Sequence, residues 1–197
     1  TSPKIIIWLG KERAAAKELF WRALHELAVK RYNFRDIQGV NKLTATYLAA
    51  VALDGVTVEP ATDNVVVRLK LDRPSADIPN YLSNSGFFFE YDCNDVNELR
   101  VITDNKRCQT VAVLGDISEL LPLLLAGLKG IDRIVPVGQT MDFDLLWDGY
   151  DLTWLDRIYN SDMLVSQYNY FGKYNGGFWN SLLGQKNVYV TTSGYNY

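Results

Sequence analysis

Histidine and cysteine are almost missing from this chain of 197 residues: there is one histidine, His25, and two cysteines, Cys93 and Cys108. A single histidine excludes most zinc sites and makes a complete Ser-His-Asp or Cys-His set within the chain an unpromising reading. Two cysteines do not make a disulfide framework, so a reduced, cytoplasmic protein is expected. No apolar run reaches the roughly 20 residues that cross a bilayer. The longest, around Leu120 to Leu128, is interrupted by Pro122 and Gly127. The opening TSPKIIIWLG has too short an apolar stretch, and no small-residue cleavage pattern, for a secretion signal. Basic runs are missing too, and the net charge of -3 argues against nucleic acid as a partner. No internal repeat is evident.

What is present alternates between strand-like and helix-like stretches. Lys4 to Leu9 (KIIIWL) reads as a strand buried on both faces, stopped by Gly10. Lys11 to Tyr32 reads as a long helix with an apolar stripe at Ala16, Leu19, Phe20, Ala23, Leu24, Leu27 and Ala28. Glu18 with Arg22, and Glu26 with Lys30, are acid-before-base pairs on its outer face. A second helix is expected over Ile37 to Leu53. Strands follow at Val56 to Val58 and Asn64 to Leu71, the latter alternating as an edge or one-sided strand does. After a loop from Asp72 to Ser85 come a strand at Phe87 to Tyr91 and a short helix over Asp92 to Ile102, capped by Asn94 or Asp95. Gln109 to Leu114 and Ile131 to Val137 read as strands flanking a helix over Ile117 to Leu128. The alternation predicts an α/β domain with a mostly parallel sheet, whose ligands sit beyond the carboxyl ends of the strands.

Composition shifts after Asp162. Met163 to Tyr197 holds no Asp or Glu and only two Lys, and is dominated by Tyr, Asn and Gly. The division read from this is a domain over residues 1–162 and an aromatic tail over 163–197, with a strand-like end at Asn187 to Thr192. The tail is either a partner-binding surface, a packed arm or an extension.

Several side chains have two readings. Trp147-Asp148-Gly149-Tyr150 either lines a ligand channel or forms a turn whose Asp caps a helix at Asp151. Gly138-Gln139-Thr140 either offers backbone donors to a cofactor or ends a strand; it is no G-x-G-x-x-G fingerprint. Cys108, after Lys106-Arg107, has a better electrostatic setting for a thiolate than Cys93, but both read foremost as unreactive cysteines. His25 reads as a solvated surface histidine, and Asp142 and Asp144 as solvated loop acids.

The segment GIDRIVPVGQTMDF followed by LLWDGYDL resembles the C-terminal half of acyl-CoA reductases of the bacterial bioluminescence type, the LuxC-like family of the aldehyde dehydrogenase superfamily. TSPKIII resembles the segment that follows the nucleophilic cysteine there, and QTVAVLGD is similar too. The likeness spans about Thr1 to Asp162. It implies a three-layer, mostly parallel sheet with flanking helices, an aldehyde-dehydrogenase-like catalytic domain. It implies NADPH-dependent reduction of a fatty acyl thioester, on coenzyme A or a carrier protein, to an aldehyde through a cysteine acyl-enzyme. The nucleophilic cysteine is expected directly before Thr1 and the nucleotide-binding half N-terminal to it, so this chain alone is expected to be inactive. By resemblance, Ser2, Pro3, Trp147, Asp148 and Gly149 would contact substrate, Gly138 and Gln139 would contact NADP, and the enzyme would be a cytoplasmic homo-oligomer without a membrane span. The alternative from a different class is a non-catalytic α/β interaction or oligomerisation module.

Overall fold

The computed structural model describes residues 3–142 in full and the backbone of strand residues 146–147, 150–151 and 188–192. The chain is mixed α/β. Strand β1 (Ile5–Trp8) leads into helices α1 (Arg13–Arg31) and α2 (Asp36–Ala52), then strands β2 (Val56–Val58), β3 (Val67–Leu71) and β4 (Phe87–Asp92). A 3-10 turn and the one-turn helix α3 (Arg100–Thr103) precede β5 (Thr110–Leu114). A further 3-10 turn, the third after those at Ile78–Asn80 and Val96–Leu99, runs into α4 (Leu121–Leu125), followed by β6 (Arg133–Pro136), the short pair β7 (Leu146–Trp147) and β8 (Tyr150–Asp151), and finally β9 (Val188–Thr192).

Seven strands form one sheet in the order β2-β3-β4-β1-β9-β5-β6. β3, β4 and β1 are mutually parallel, as are β5 and β6, while β9 is antiparallel to both β1 and β5. β1 and β5 therefore run the same way, and only β2 and β9 oppose the common direction. The strand-like end of the aromatic tail thus lies in the middle of the sheet.

Alternation along the strands divides the interior in two. Ile6, Trp8, Phe88 and Ala112 face α1, which contributes Ala16, Phe20 and Trp21. Ile5, Ile7, Leu69, Leu71, Phe87 and Phe89 face the other way, and Ala49 of α2, Ile102 of α3 and Leu123 of α4 close over them. Helices thus cover both faces. Trp21 lies outside the stripe expected for α1. It is buried because its indole N–H donates to the carboxylate of Glu90 at 2.9 Å and its ring meets Phe20 and Phe88 edge-on.

Three expected elements differ. Asn64 to Val66 stand outside β3, which is flanked on both sides by β2 and β4; the alternating pattern marks one-sidedness and not an edge. The helices expected over Asp92 to Ile102 and Ile117 to Leu128 are each a 3-10 turn plus a short α-turn. Asp95 and Asp116 hold their starts by accepting from the N–H two residues on, a geometry that favours the tighter helix. Among the described residues no helix is long and apolar enough to cross a membrane.

Candidate functional site: a groove at the amino ends of the strands

Strands β1, β3 and β4 enter the sheet side by side, and α1, returning antiparallel, ends at the same edge. Between the last turns of α1 and these strand starts lies a groove of about 640 Å³. Leu24, Leu27 and Ala28 form one wall, and Val65, Val66 and Phe88 the floor. The groove is apolar because the last members of the α1 stripe, Leu24 and Ala28, are only partly buried against the cluster of Ile6, Trp8 and Phe88. Arg31, Tyr32, Asn84, Ser85 and Gly86 complete its lining.

The rim is held by unusual backbone and by two buried amines. Ser85 and Gly86 both have positive φ, 63° and 87°. A Cβ on Gly86 would sit 2.3 Å from the carbonyl oxygen of Val65, so only glycine lets the two strand entries approach this closely. The Lys4 ammonium donates to the carbonyl of Ser83 at 2.8 Å and to the side chain of Asn84. The Lys42 ammonium, arriving from α2, donates to Val65 at 2.9 Å and to the carbonyl of Asn64. Desolvation pulls both amines below the ordinary lysine value, Lys42 to about 8. His25 also reaches this edge. Its Nε2 lies 2.7 Å from Oδ2 of Asp63, tying α1 to the loop that leads into β3. The N–H of Val65 donates to Asp63 Oδ1 and, with His25, holds that carboxyl below the usual range. His25 is therefore a paired, partly exposed group and not the freely solvated histidine expected.

A second cluster lies further along the α1 face. Glu90 is fully buried. Its Oε2 accepts from Trp8 at 3.1 Å and from Trp21, with Lys17 at 3.3 Å. Its Oε1 has no hydrogen bond, only the Arg68 guanidinium at 3.8 Å. Asp92 receives Lys17 and Lys70, and Arg68 also meets Glu59. Acids and bases alternate and balance, which is what anchors a helix to a sheet.

Of the residues singled out by sequence, Pro3 and Gly138 lie far apart. Ile5 is level with Thr191, Thr191 with Val111 and Val111 with Ile134. Pro3 lies two residues before that level and Gly138 four beyond it. At about 3.3 Å per residue they stand roughly 20 Å apart along the strand direction, at opposite ends of the sheet. Gly138 (φ 97°) and Gln139 form a turn in which the Gln139 N–H donates to Pro136 at 3.1 Å, so that donor is committed within the chain. Trp147 pairs with Tyr150 and Leu146 with Asp151, antiparallel, so Asp151 itself lies in a strand; the helix expected there falls outside the described residues. Ser2, Asp144, Asp148 and Gly149 lie outside the described residues; Asp142 is exposed, as expected. Both cysteines are buried and free. Burial, with Glu98 and Asp95 near Cys93 and Asp132 near Cys108, pushes each thiol up to about 12, so the basic neighbours of Cys108 in sequence do not decide its chemistry.

The described residues do not fit a nicotinamide dinucleotide. The Gly138-Gln139 turn is closed on itself, and α1 has the acid Glu12 at its N-cap, while the guanidinium of its first residue, Arg13, is committed to the Cys93 carbonyl and the Asn94 side chain. Among the described residues no group of three or more His, Cys, Asp or Glu is placed to hold a metal. No protein-family model matches the chain, and neither curated proteins nor solved structures give a match.

Sequence reasoning missed the groove and the ion cluster. The one legible signal was Glu90, an acid inside the run FFFEY.

Proposed function

We propose that the groove takes the acyl chain of a fatty acyl thioester, and that the chain is the acyl-handling part of an LuxC-like acyl-CoA reductase with an aldehyde-dehydrogenase-like, three-layer catalytic domain. The observation that carries the reading is the meeting of the apolar groove with the start of β1: Asn84 lines the groove and accepts from Lys4. A cysteine preceding Thr1, as the resemblance implies, would enter at this edge of the sheet.

The volume lies in the range of small-molecule sites, roughly 300–1,000 Å³. Each methylene buried there contributes about 0.8 kcal/mol. In the acyl-transfer step the cysteine thiolate attacks the thioester carbonyl, the bond from carbonyl carbon to coenzyme A sulfur breaks, and coenzyme A leaves as its thiolate. The residues described here bind and orient the chain and keep water from it. The NADP implied by the resemblance is assigned no residue, and no hydride step is derived. The reading keeps the enzyme cytoplasmic, with its two buried thiols reduced.

The test is titration with a fluorescent long-chain acyl analogue, competed by acyl-CoA esters of decreasing length. Saturable binding that weakens as the chain shortens is expected, with at least a tenfold loss in Ala28→Trp, which fills the groove. Binding that ignores chain length, or an Ala28→Trp chain that binds as the parent does, would remove the reading. A chain carrying cysteine before Thr1 should then release coenzyme A thiol from acyl-CoA, and its alanine counterpart should not.

A further inference from the structure

Hydrogen bonding around the polar part of the groove is lopsided. Five acceptors there are already occupied. The Lys4 ammonium holds the carbonyl of Ser83 at 2.8 Å and Oδ1 of Asn84. The Lys42 ammonium holds the carbonyls of Val65, at 2.9 Å, and Asn64. The N–H of Val67 donates to the carbonyl of Gly86 at 2.8 Å. The donors of two lining residues are open. Among the described residues, the Asn84 amide nitrogen, the Ser85 N–H and the Ser85 hydroxyl have no hydrogen-bond partner. Asn84 cannot be turned the other way. An ammonium only donates, so Oδ1 must face Lys4 and the NH2 group is left for a ligand. Contact with a cation also polarises the amide and strengthens its N–H donors. Ser85 sits at φ 63°, a left-handed conformation that glycine would hold without strain. A serine there adds a hydroxyl beside the open N–H. No acid lines the groove, and the two ammoniums at its rim favour a ligand with electron-rich oxygen.

We propose that Asn84 and Ser85 form an acyl-oxygen subsite of the groove, donating from the amide nitrogen, the N–H and the hydroxyl to the oxygen of a long-chain carboxylate or acyl ester. The inference rests on the reading that the groove takes an acyl chain, and adds which atom of the ligand is held and by which groups. Leu24, Leu27, Ala28 and Phe88 receive the chain, and the donors fix where its head stops. A carboxylate gains most, because hydrogen bonds to an ionised acceptor are roughly twice as strong as neutral ones. A neutral ester or thioester carbonyl accepts from the same donors more weakly. An alkylammonium head has no acceptor to offer and meets two ammoniums, so the subsite rejects it.

Displacement of a fluorescent long-chain acyl analogue from the full chain tests this, with dodecanoate, methyl dodecanoate and dodecylamine as competitors and octanoate as the short acid. Dodecanoate should bind roughly tenfold or more tighter than dodecylamine, with methyl dodecanoate between them. Asn84→Asp keeps an acceptor for Lys4 and removes the amide donors. It should weaken dodecanoate roughly tenfold or more and leave dodecylamine no weaker than in the parent, a change of preference that a merely structural role would not produce. Ser85→Gly suits the positive φ and removes the hydroxyl alone; it should weaken dodecanoate roughly two- to fivefold and leave dodecylamine unchanged, which reads the subsite even where Asn84→Asp does not fold. Far-UV circular dichroism and the urea midpoint check the fold of both variants. Three heads that bind alike, while octanoate stays much weaker than dodecanoate, overturn the subsite and leave the acyl groove standing. So do folded variants that keep the parent's preference. Octanoate binding as tightly as dodecanoate, or no displacement by any competitor, removes the acyl groove itself and the subsite with it.

Discussion

On the side of the sheet under α1, the interior holds Trp8, Trp21, Phe20 and Phe88 around a carboxylate with no solvent exposure, Glu90. On the side under α2 to α4, strand residues such as Leu69, Phe87 and Phe89 meet helices with no buried acid among them. The outer surfaces are reversed: α1 is charged outside, and α2 is apolar outside. A buried ion pair needs a helix fixed in place, since misplacement strands a charge. The α1 helix is fixed by Glu90, Lys17 and Arg68, and it walls the groove. The α2–α4 layer packs by non-directional apolar contact, with Lys42 as its one buried charge, and α2 is apolar on its outer side as well. The difference teaches that one face is built for position and the other for area.

The largest expected effect comes from removing that position-setting charge. Glu90→Ala leaves two indole N–H groups without their acceptor and Lys17 and Arg68 with only Asp92 and Glu59, and should cost about 3–5 kcal/mol in urea unfolding. A cost below about 1 kcal/mol would show that the α1 face is held by its aromatics alone. Gly86→Ala comes next. The positive φ alone costs about 1–3 kcal/mol, and the contact with Val65 adds to it, so acyl-probe binding and stability should fall together. Third is the pH response of Lys42, which ties the apolar layer to the groove rim. The unfolded chain keeps this proton to about 10.5 and the folded chain loses it near 8. Between those values the unfolded state holds more protons, so this group adds stability as pH rises; below 8 both states are protonated and its slope vanishes. Amine resonances followed by NMR, with Lys42→Met as control, report it, and titration at the ordinary lysine value would show the amine to be solvated. The smallest effect belongs to the outer surface. Val51→Glu should change the unfolding free energy by no more than about 0.5 kcal/mol. A larger change would mean that Val51 packs within its own chain.

Much of the fold could be read along the chain. KIIIWL, FFFEY and QTVAVL are buried strands because β-branched and aromatic runs have no polar face to show. The two long helices end within two residues of where their periodicity stops. The site was far less legible. Leu24, Leu27 and Ala28 were correctly placed on the inner stripe of α1, but nothing local says that they stay only partly buried. His25 and Asp63 stand 38 residues apart, and Lys4 and Asn84 80 apart. Gly138 was legible only as one of two readings; its φ of 97° and the Gln139 N–H donating to Pro136 show the strand-ending turn.

Sequence by itself determined the alternation of strands and helices and the scarcity of charge on α2, since each depends on neighbours a few residues away. Only tertiary structure decided that β9 separates β1 from β5, that Pro3 and Gly138 lie at opposite ends of the strands, and that a groove opens beside Lys4. Those facts arise from which distant segments pack together. The free energy of that choice belongs to pairs of elements and is written in no single stretch of chain.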